Sequence, residues 1–229
     1  MRSARRIAPA LLPKDEPPAG ALFWRLWDKA RPIAEDALAT PFVQGIAAGT
    51  LDPVVYGAFN ISDAYYCFHG ADDYAAVAAR AEDAPLRTFL EHKHQTYASY
   101  NATFPETWRV RDGDSLVPTP TCIDYAGFES QVARERPPIY SLVAMLPCEY
   151  LWAWLAAQLA PAGEGNLYAP WITDNDDPHG AYQMGNYLED FAARHPGELD
   201  ESEAESIYLQ AMSYERDNFA SALAAKSGA

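Results

Sequence analysis

Two carboxylates lie on predicted apolar faces of helices, where a charged group needs a partner. Asp63 continues a row of aromatic residues, including Phe59 and Tyr66, at intervals of three or four positions, and Glu215 lies four residues before Phe219 in a similar row. Residues at that spacing share one face of an α-helix, and a buried carboxylate is costly unless it is paired or hydrogen-bonded. Asp63 is therefore either a structural residue tied by tyrosine hydroxyls or a functional group. Glu215 is either a buried functional group or an exposed residue of a slightly rotated helix.

The cysteines and histidines lack the spacing of a disulfide framework or a metal site. The three cysteines, Cys67, Cys122 and Cys148, are widely spaced and include no C-x-x-C pair. This pattern fits reduced thiols in a cytoplasm. Cys148 lies on a core-facing row, where a cysteine taken alone behaves as a small hydrophobe. His92 and His94 are two residues apart and point to different faces of a helix, so we expect no metal site.

The charge balance narrows the class of partner. The 229 residues include 17 Lys and Arg against 32 Asp and Glu, a formal net charge of −15. This balance repels nucleic-acid phosphates and anionic lipid surfaces, so we expect neither nucleic-acid nor membrane partners. No run approaches the ~18 uninterrupted apolar residues of a membrane span. A hydrophobic content of 49% and an aromatic content of 13% indicate a folded core.

The first 20 residues differ from the rest of the chain. They contain four basic and two acidic residues, and their apolar stretch is interrupted by Pro9 and Pro13. That stretch is too short and too broken for the apolar region of a secretory signal. We interpret residues 1–20 as a flexible tail and residues 21–229 as one domain, and we expect a cytoplasmic location.

Helical periodicity runs through the remaining sequence, with proline and glycine between the periodic segments. No segment shows sustained alternation with period two. The pattern predicts a first helix from about Phe23 that stops before Pro32, and a long loop at 104–121. Further helices are predicted at about 41–49, 53–80, 83–101, 123–136, 139–160, 179–194 and 200–225. The fold-class prediction is an all-α, single-domain helical bundle.

Short motifs in order along the chain resemble the TenA (thiaminase II) family. They are Phe23-Trp24-Arg25-Leu26-Trp27, Pro41-Phe42-Val43-Gln44-Gly45-Ile46, Gly49-Thr50-Leu51, Asp63 with Tyr66, Tyr125, Leu146-Pro147-Cys148, Trp171-Ile172 and Glu215 with Phe219. The resemblance runs from about residue 22 to about residue 222. Its opening motif is the most specific part, and the set of Asp63, Cys148 and Glu215 is the part relevant to chemistry.

Three positions depart from the family pattern. Ser62 stands where a glutamine commonly precedes the aspartate, Trp152 where a tyrosine is frequent after the cysteine, and Asn175 where a tyrosine usually follows Trp-Ile. In the family these positions line the pyrimidine pocket. The departures therefore leave open a TenA-like enzyme that acts on another amine or heteroaromatic ring.

The resemblance implies a bundle like that of haem oxygenase, without haem, and hydrolysis at the methylene on C5 of a 4-aminopyrimidine. This reaction releases thiazole from thiamin, or ammonia from the aminomethylpyrimidine formed when thiamin degrades. The implied roles are nucleophile for Cys148, proton shuttle for Glu215, amine recognition for Asp63, stacking or donation for Tyr66 and Tyr125, and pocket wall for Trp152 and Asn175. The resemblance implies no metal or organic cofactor, a small-molecule pyrimidine as partner, and a homo-oligomer, often a tetramer.

Two other classes of function are compatible with such a bundle. One is a non-enzymatic ligand-binding or regulatory protein, for which the charge of −15 disfavours direct contact with DNA. The other is a metal-dependent oxygenase, which needs a ligand cluster such as H-x-x-x-D-x-x-H on a late helix. Asp190 and His195 are five residues apart with no second histidine nearby, which disfavours the oxygenase.

Overall fold

The computed structural model describes residues 14–223, and over this range the chain forms ten helices and no strand. The helices are α1 (Leu22–Leu38), α2 (Pro41–Ala48), α3 (Pro53–Arg80), α4 (Ala84–Asn101), α5 (Phe104–Thr107), α6 (Pro120–Glu135), α7 (Ile139–Leu159), α8 (Ala169–Asn175), α9 (His179–Arg194) and α10 (Glu201–Ser221). The all-α prediction is confirmed.

Side-chain caps explain why several helices begin where they do. In each case an oxygen of the capping side chain accepts a hydrogen bond from a backbone N–H of the first turn, which has no partner within the helix. These caps are Thr40 for α2, Asp52 for α3, Asp83 for α4, Thr119 for α6 and Asp200 for α10. Gly49 ends α2 in the left-handed conformation, with φ of 69°, which glycine adopts without steric cost.

Three local predictions are wrong. The first helix does not stop before Pro32 but continues to Leu38. Pro32 and Asp28, whose carbonyl loses its helical donor, are both exposed, so water can replace the missing hydrogen bond. The segment 104–121 is not one loop, because it contains α5 and the start of α6 at Pro120. The pattern also gives no helix at 169–175, where α8 has only seven residues, too few to show a period.

The bundle is organised around α7. Helix α10 packs against α1, α6 and α7, α3 packs against α4 and α6, and α8 and α9 pack against α7. By length and composition α7 is apolar enough to cross a membrane, but 78% of its apolar window is buried inside the structure. That burial is typical of a core helix. The arrangement brings α3, α6, α7 and α10, which carry the candidate residues, into mutual contact.

The end of the predicted tail contacts the domain. Pro17 is buried, and its carbonyl accepts a hydrogen bond of 2.8 Å from Nε1 of Trp24. The carbonyl of Asp15 accepts one of 2.8 Å from Nδ2 of Asn186. Residues 14–20 precede α1 without forming a helix, and residues 1–13 of the predicted tail lie outside the described residues.

Candidate active site

A cavity of about 250 Å³ opens beside α3, α4, α7 and the α8–α9 connection. Four of the predicted site residues line it, namely Asp63, Cys148, Trp152 and Asn175. Its wall also contains Cys67, Tyr97, Tyr100, Glu149, Asp174 and Asp177. A small concave pocket with converging polar groups is typical of a small-molecule site.

Asp63 brings a carboxylate to the cavity from the middle of α3. Its Oδ2 lies 4.0 Å from Sγ of Cys67, a long and weak contact. Burial raises the pKa of Asp63 to about 7. A carboxyl with so little internal hydrogen bonding retains acceptor capacity for a ligand that donates hydrogen bonds, such as an amine.

Glu215 on α10 is 2% exposed and receives several hydrogen bonds. The Trp152 indole donates from Nε1 to Oε2 over 3.2 Å, and the Tyr125 hydroxyl donates to Oε1 over 3.1 Å. Burial raises the pKa of Glu215 to about 7, although these hydrogen bonds and one with Cys148 oppose the rise. A carboxyl that titrates near neutral pH is suited to accept and return a proton.

Cys148 on α7 is close enough to Glu215 and Asp63 to interact electrostatically with both carboxyl groups. Burial raises the pKa of its thiol well above the ordinary value, and the nearby negative charges of Glu215 and Asp63 raise it further. The thiol is therefore protonated at neutral pH. Its hydrogen bond with Glu215 supplies a base that could take its proton, which is the usual way a weak nucleophile is activated.

Tyr66 on α3 and Tyr125 on α6 stack on each other, with ring centroids 4.8 Å apart and an interplanar angle of 27°. The Tyr66 hydroxyl donates to Oε1 of Glu129 over 2.9 Å. Neither tyrosine is part of the cavity wall. Tyr125 reaches the cavity through Glu215, which hydrogen bonds to the wall residues Trp152 and Cys148.

The positions that depart from the TenA pattern have different surroundings. Trp152 packs against Trp171, with centroids 5.5 Å apart, and faces the cavity. Asn175 also faces the cavity, and its Nδ2 donates to the Trp171 carbonyl over 2.7 Å. Ser62 is buried and turned toward α6, where its Oγ accepts a 3.0 Å hydrogen bond from the backbone N–H of Thr119. Ser62 therefore supports the start of α6 and is not part of the cavity wall.

Sequence reasoning missed an ion pair at the cavity. Glu149, the residue after Cys148, lines the cavity and pairs with Lys93 of α4, which is 3% exposed. Gly180 of α9 adjoins the same carboxylate, since a Cβ there would lie 2.5 Å from Oε2 of Glu149. The signal for Lys93 was present, because Lys93 and Tyr97 continue an apolar row at intervals of three and four.

Within residues 14–223, no three His, Cys, Asp or Glu side chains are placed to share a metal ion. The four carboxyl groups of the wall, Asp63, Glu149, Asp174 and Asp177, surround the cavity without converging on one point. The described arrangement supplies the Cys148 thiol, the Glu215 carboxyl group with a pKa suited to proton transfer, and the Asp63 carboxyl group as an acceptor.

Comparisons with known proteins show what the sequence is similar to. The sequence profile of the TENA/THI-4/PQQC family matches residues 27–225. The chain is 28% identical over 145 residues to the aminopyrimidine aminohydrolase of Bacillus subtilis (strain 168). The aligned segment covers 60% of this chain and 61% of that protein. The match thus spans less than two thirds of that relative.

Solved structures share the fold. A TenA homologue from P. horikoshii OT3 superposes with a TM-score of 0.73 at 18% identity, covering 88% of this chain and 98% of that one. Heme oxygenase-1 from the cyanobacterium Synechocystis sp. PCC6803, solved in complex with heme, gives a TM-score of 0.53 at 15% identity, covering 90% and 96%. At these identities the likeness concerns the fold alone, and it confirms the prediction of a haem-oxygenase-like bundle.

Proposed function

Because the chain belongs to the TENA/THI-4/PQQC family, we propose that it is a hydrolase acting on a 4-aminopyrimidine of thiamin salvage. Cleavage occurs at the methylene on C5, with Cys148 as the nucleophile. The observation that carries the proposal is the contact between the Cys148 thiol, which lines the cavity, and the buried carboxyl group of Glu215 behind the wall; the same cavity also presents Asp63. The B. subtilis relative, named an aminopyrimidine aminohydrolase, supports the same chemistry.

Substrate recognition begins at Asp63. A 4-aminopyrimidine has an exocyclic amine that donates hydrogen bonds, and the Asp63 carboxylate has acceptor capacity directed to the cavity. Trp152 and Asn175 complete the wall around the ring. These contacts fix the ring so that one of its electron-poor carbons lies at Sγ of Cys148, and such positioning lowers the barrier to addition.

The chemical step uses Cys148 and Glu215 as a pair. The Glu215 carboxylate takes the thiol proton, a C–S bond forms at the ring carbon, and the displaced electron pair goes to a ring nitrogen, which receives that proton from Glu215. The ring then expels the leaving group from the methylene as its nitrogen gives the proton back to Glu215, which passes it to a leaving amine; a thiazolium leaves as neutral thiazole and needs none. Water adds to the methylene, the C–S bond breaks, and the thiolate regains its proton, which leaves the hydroxymethylpyrimidine.

A second candidate keeps the fold and the nucleophile but changes the substrate. Trp152 and Asn175 alter the cavity wall where the family has tyrosines, and the Ser62 side chain is committed to Thr119 of α6. These observations favour an enzyme acting on another amine or heteroaromatic ring. A non-enzymatic ligand-binding or regulatory protein would use the same cavity without turnover.

Product analysis by mass spectrometry tests these candidates. Purified protein is offered thiamin and the aminomethylpyrimidine separately, with Cys148→Ala as the control. We expect hydroxymethylpyrimidine with ammonia or thiazole from the wild type, and none from the control. A folded wild-type protein that converts neither compound would contradict the aminopyrimidine proposal. We further propose that the protein is a cytoplasmic homo-oligomer, with the tetramer as the expected form, and light scattering after size exclusion measures its mass.

A further inference from the structure

Two buried carboxyl groups are joined through two tyrosines across three helices. Glu129 of α6 accepts a hydrogen bond from the Tyr66 hydroxyl over 2.9 Å, and Glu215 of α10 accepts one from the Tyr125 hydroxyl over 3.1 Å. The two hydroxyl oxygens are 3.5 Å apart, and the Tyr125 hydroxyl also interacts with Glu129. Each of the four side chains is at most 2% exposed. This series of hydrogen bonds therefore links Glu215, which contacts the cavity residues Trp152 and Cys148, to Glu129, a carboxyl group that the proposed mechanism does not use.

The surroundings of Glu129 disfavour its ionisation. Titratable groups that face it come from every packed helix: Tyr66, Cys67, Asp73 and Tyr74 of α3, Tyr125 of its own α6, Cys148 of α7 and Glu215 of α10. The carboxyl group of Asp73 accepts a 2.6 Å hydrogen bond from Ser130 and is influenced by Arg134 and His69. Among residues 14–223 no cation forms an ion pair with Glu129. Burial raises the pKa of Glu129 well above its usual value, and the charge of Glu215 raises it further.

We propose that Glu129 and Glu215 share one proton through Tyr66 and Tyr125, which makes Glu129 a positioning residue that restores the proton of Glu215. This inference rests on the proposed function, because Glu215 is the group that exchanges protons with the substrate. In the transfer, the Tyr66 hydroxyl turns its hydrogen from Glu129 toward its other acceptor, Tyr125. The Glu129 carboxyl then gives its proton to Tyr66, Tyr66 gives its own to Tyr125, and Tyr125 gives its own to the Glu215 carboxylate. Both phenols are regenerated, no electrons are exchanged, and one negative charge moves from Glu215 to Glu129. The reverse transfer returns the proton to Glu129 and leaves Glu215 as the carboxylate that takes the next thiol proton.

The geometry allows this transfer, and the separation of the two tyrosine hydroxyls is its longest step. The outer two hydrogen bonds have ordinary O–O lengths, whereas the 3.5 Å separation of the two hydroxyls is at the limit of a hydrogen bond. The stacked rings of Tyr66 and Tyr125 hold these hydroxyls on the same side. Catalytic hydrogen bonds that are long without substrate tighten when it binds.

The test is Glu129→Gln, which keeps an acceptor for Tyr66 but cannot supply a proton. With the aminomethylpyrimidine as substrate, we expect kcat to fall roughly tenfold or more while KM stays within about twofold. The wild-type kcat should decline at alkaline pH as Glu129 ionises, and the variant should lack that decline. Tyr66→Phe interrupts the same series of hydrogen bonds. The double variant of Glu129→Gln with Tyr66→Phe should therefore have a kcat no lower than that of the slower single variant. Glu135→Gln, the same change at an exposed position of α6, is the matched control and should behave as the wild type.

Infrared spectroscopy of the protein without substrate gives a readout that does not depend on turnover. At neutral pH, the wild type minus Glu129→Gln difference spectrum should show the C=O band of a protonated carboxyl group. In Tyr66→Phe that band should shift to higher wavenumber, because the carboxyl group loses its hydrogen bond. A wild type with this band but no turnover would contradict the proposed function and support the shared proton. Absence of the band, or a Glu129→Gln variant with wild-type kcat and pH profile, overturns the inference.

Discussion

Trp152 donates a hydrogen bond from Nε1 to Oε2 of Glu215, 3.2 Å away. A tyrosine is frequent at this position in the TenA family, and the indole supplies a donor to the carboxylate as a phenol would. The indole ring is held in place by Phe59, Trp171 and Phe219, whose ring centroids lie within 6.0 Å of its own. The tryptophan thus keeps a hydrogen bond to the proposed proton shuttle, Glu215, and presents an indole instead of a phenol at the cavity wall.

Replacing the donor should change the pH dependence of the reaction. In Trp152→Phe the Glu215 carboxylate loses one hydrogen bond, and a bond to a charged group contributes about 1.5–3 kcal/mol, or about one to two pKa units. The loss raises the pKa of Glu215 further above 4.5. The pH at which kcat/KM falls on the acid side of its profile, the acid limb, should therefore be higher by about one pH unit.

Trp171→Phe is the matched control for that measurement. The Trp171 Nε1 is buried and has no hydrogen-bond partner among the described residues. Its removal should leave the acid limb in place, even if packing changes alter the overall rate. An equal displacement of the limb in both variants would show that ring size, not the hydrogen bond to Glu215, controls the titration.

The three cysteines should differ in their effect on turnover. Cys148→Ser should lower kcat by roughly a thousandfold or more without unfolding the protein, because the hydroxyl is a much poorer nucleophile. Cys122 donates from Sγ to the Ser62 carbonyl over 3.1 Å, and burial raises its pKa to about 12. Cys122→Ser can keep that hydrogen bond, so it should retain most activity. Cys67 lines the cavity beside Asp63, and Cys67→Ser should affect KM more than kcat. Similar rates in all three variants would remove the covalent mechanism.

Ionisation of the buried Asp63 should lower the free energy of unfolding at neutral and alkaline pH. Its pKa is about 7 in the folded protein and about 3.8 in the unfolded chain, so the folded state holds the extra proton between these values. Stability from this group therefore falls as pH rises through that window and is constant above it. Asp63→Asn cannot ionise. It should be more stable than the wild type by on the order of 2 kcal/mol at pH 8, allowing for water in the cavity, and equally stable near pH 4.

Denaturant unfolding at the two pH values measures this difference. The same substitution at Asp124, an exposed residue of α6, should change stability by less than about 0.5 kcal/mol at either pH. Asp63→Asn should also lose turnover, since the amide is a weaker acceptor for the substrate amine. A variant that is less stable than the wild type at pH 8 would show that Asp63 is a structural residue.

Asn175→Tyr tests the substrate. One aromatic contact contributes about 0.5–1.5 kcal/mol beyond the area it buries, roughly a three- to tenfold change in affinity for a flat ring. If the substrate is an aminopyrimidine, the restored tyrosine should lower KM or be tolerated. If the wall has been rebuilt for a larger ligand, the added ring should obstruct it and lower kcat/KM on the true substrate. Turnover of aminomethylpyrimidine below detection in both folded proteins would favour the second candidate function.

Two glycines within helices, Gly180 of α9 and Gly127 of α6, should differ in the effect of substitution by alanine. Gly180→Ala places a Cβ 2.5 Å from Oε2 of Glu149, so that side chain must move away from Lys93 and alter the cavity. We expect kcat/KM to fall roughly three- to tenfold. Gly127 of α6 has no atom within 4 Å of an added Cβ, and Gly127→Ala should stabilise the protein by about 0.5–1 kcal/mol. Thermal unfolding and initial rates of both variants distinguish these outcomes.

The sequence predicted the helices whose apolar rows are long and whose ends carry caps. Helix α3 begins after Asp52 and ends at Arg80, as the spacing and the Asp-Pro step indicate. Pro32 misled the prediction, because the rule that proline stops a helix assumes that the freed carbonyl needs a protein partner. Periodicity placed Asp63 on an inward face but left Glu215 open between a buried face and an exposed one, and only the packing of α10 shows that Glu215 is buried.

The long-range pairings could not be read from local spacing. Glu129 lies four residues after Tyr125 on one face of α6, so its row was visible, but its partner Tyr66 belongs to α3. Lys93 likewise lies on an apolar row of α4, whereas its partner Glu149 is 56 residues away. Such pairs depend on how the helices pack, which a pattern within one helix does not specify. The roles of the candidate residues stay predictions until the variants are measured.

The acidic wall of the cavity has a consequence for the rate at which ligands arrive. Glu149, Asp174 and Asp177 surround an opening on a chain with a net charge of −15, together with Asp63, which is only partly ionised at neutral pH because its pKa is about 7. Lys93 pairs with Glu149, and His179 contacts Asp177. Carboxylates around a concave, partly desolvated opening focus a negative potential into it. Association of a protonated amine or a thiazolium ion is therefore accelerated by electrostatic steering, and the acceleration weakens as ionic strength shortens the Debye length. A phosphate ester of the same compound must approach against that potential, so the entrance favours cationic over phosphorylated ligands before any contact is made.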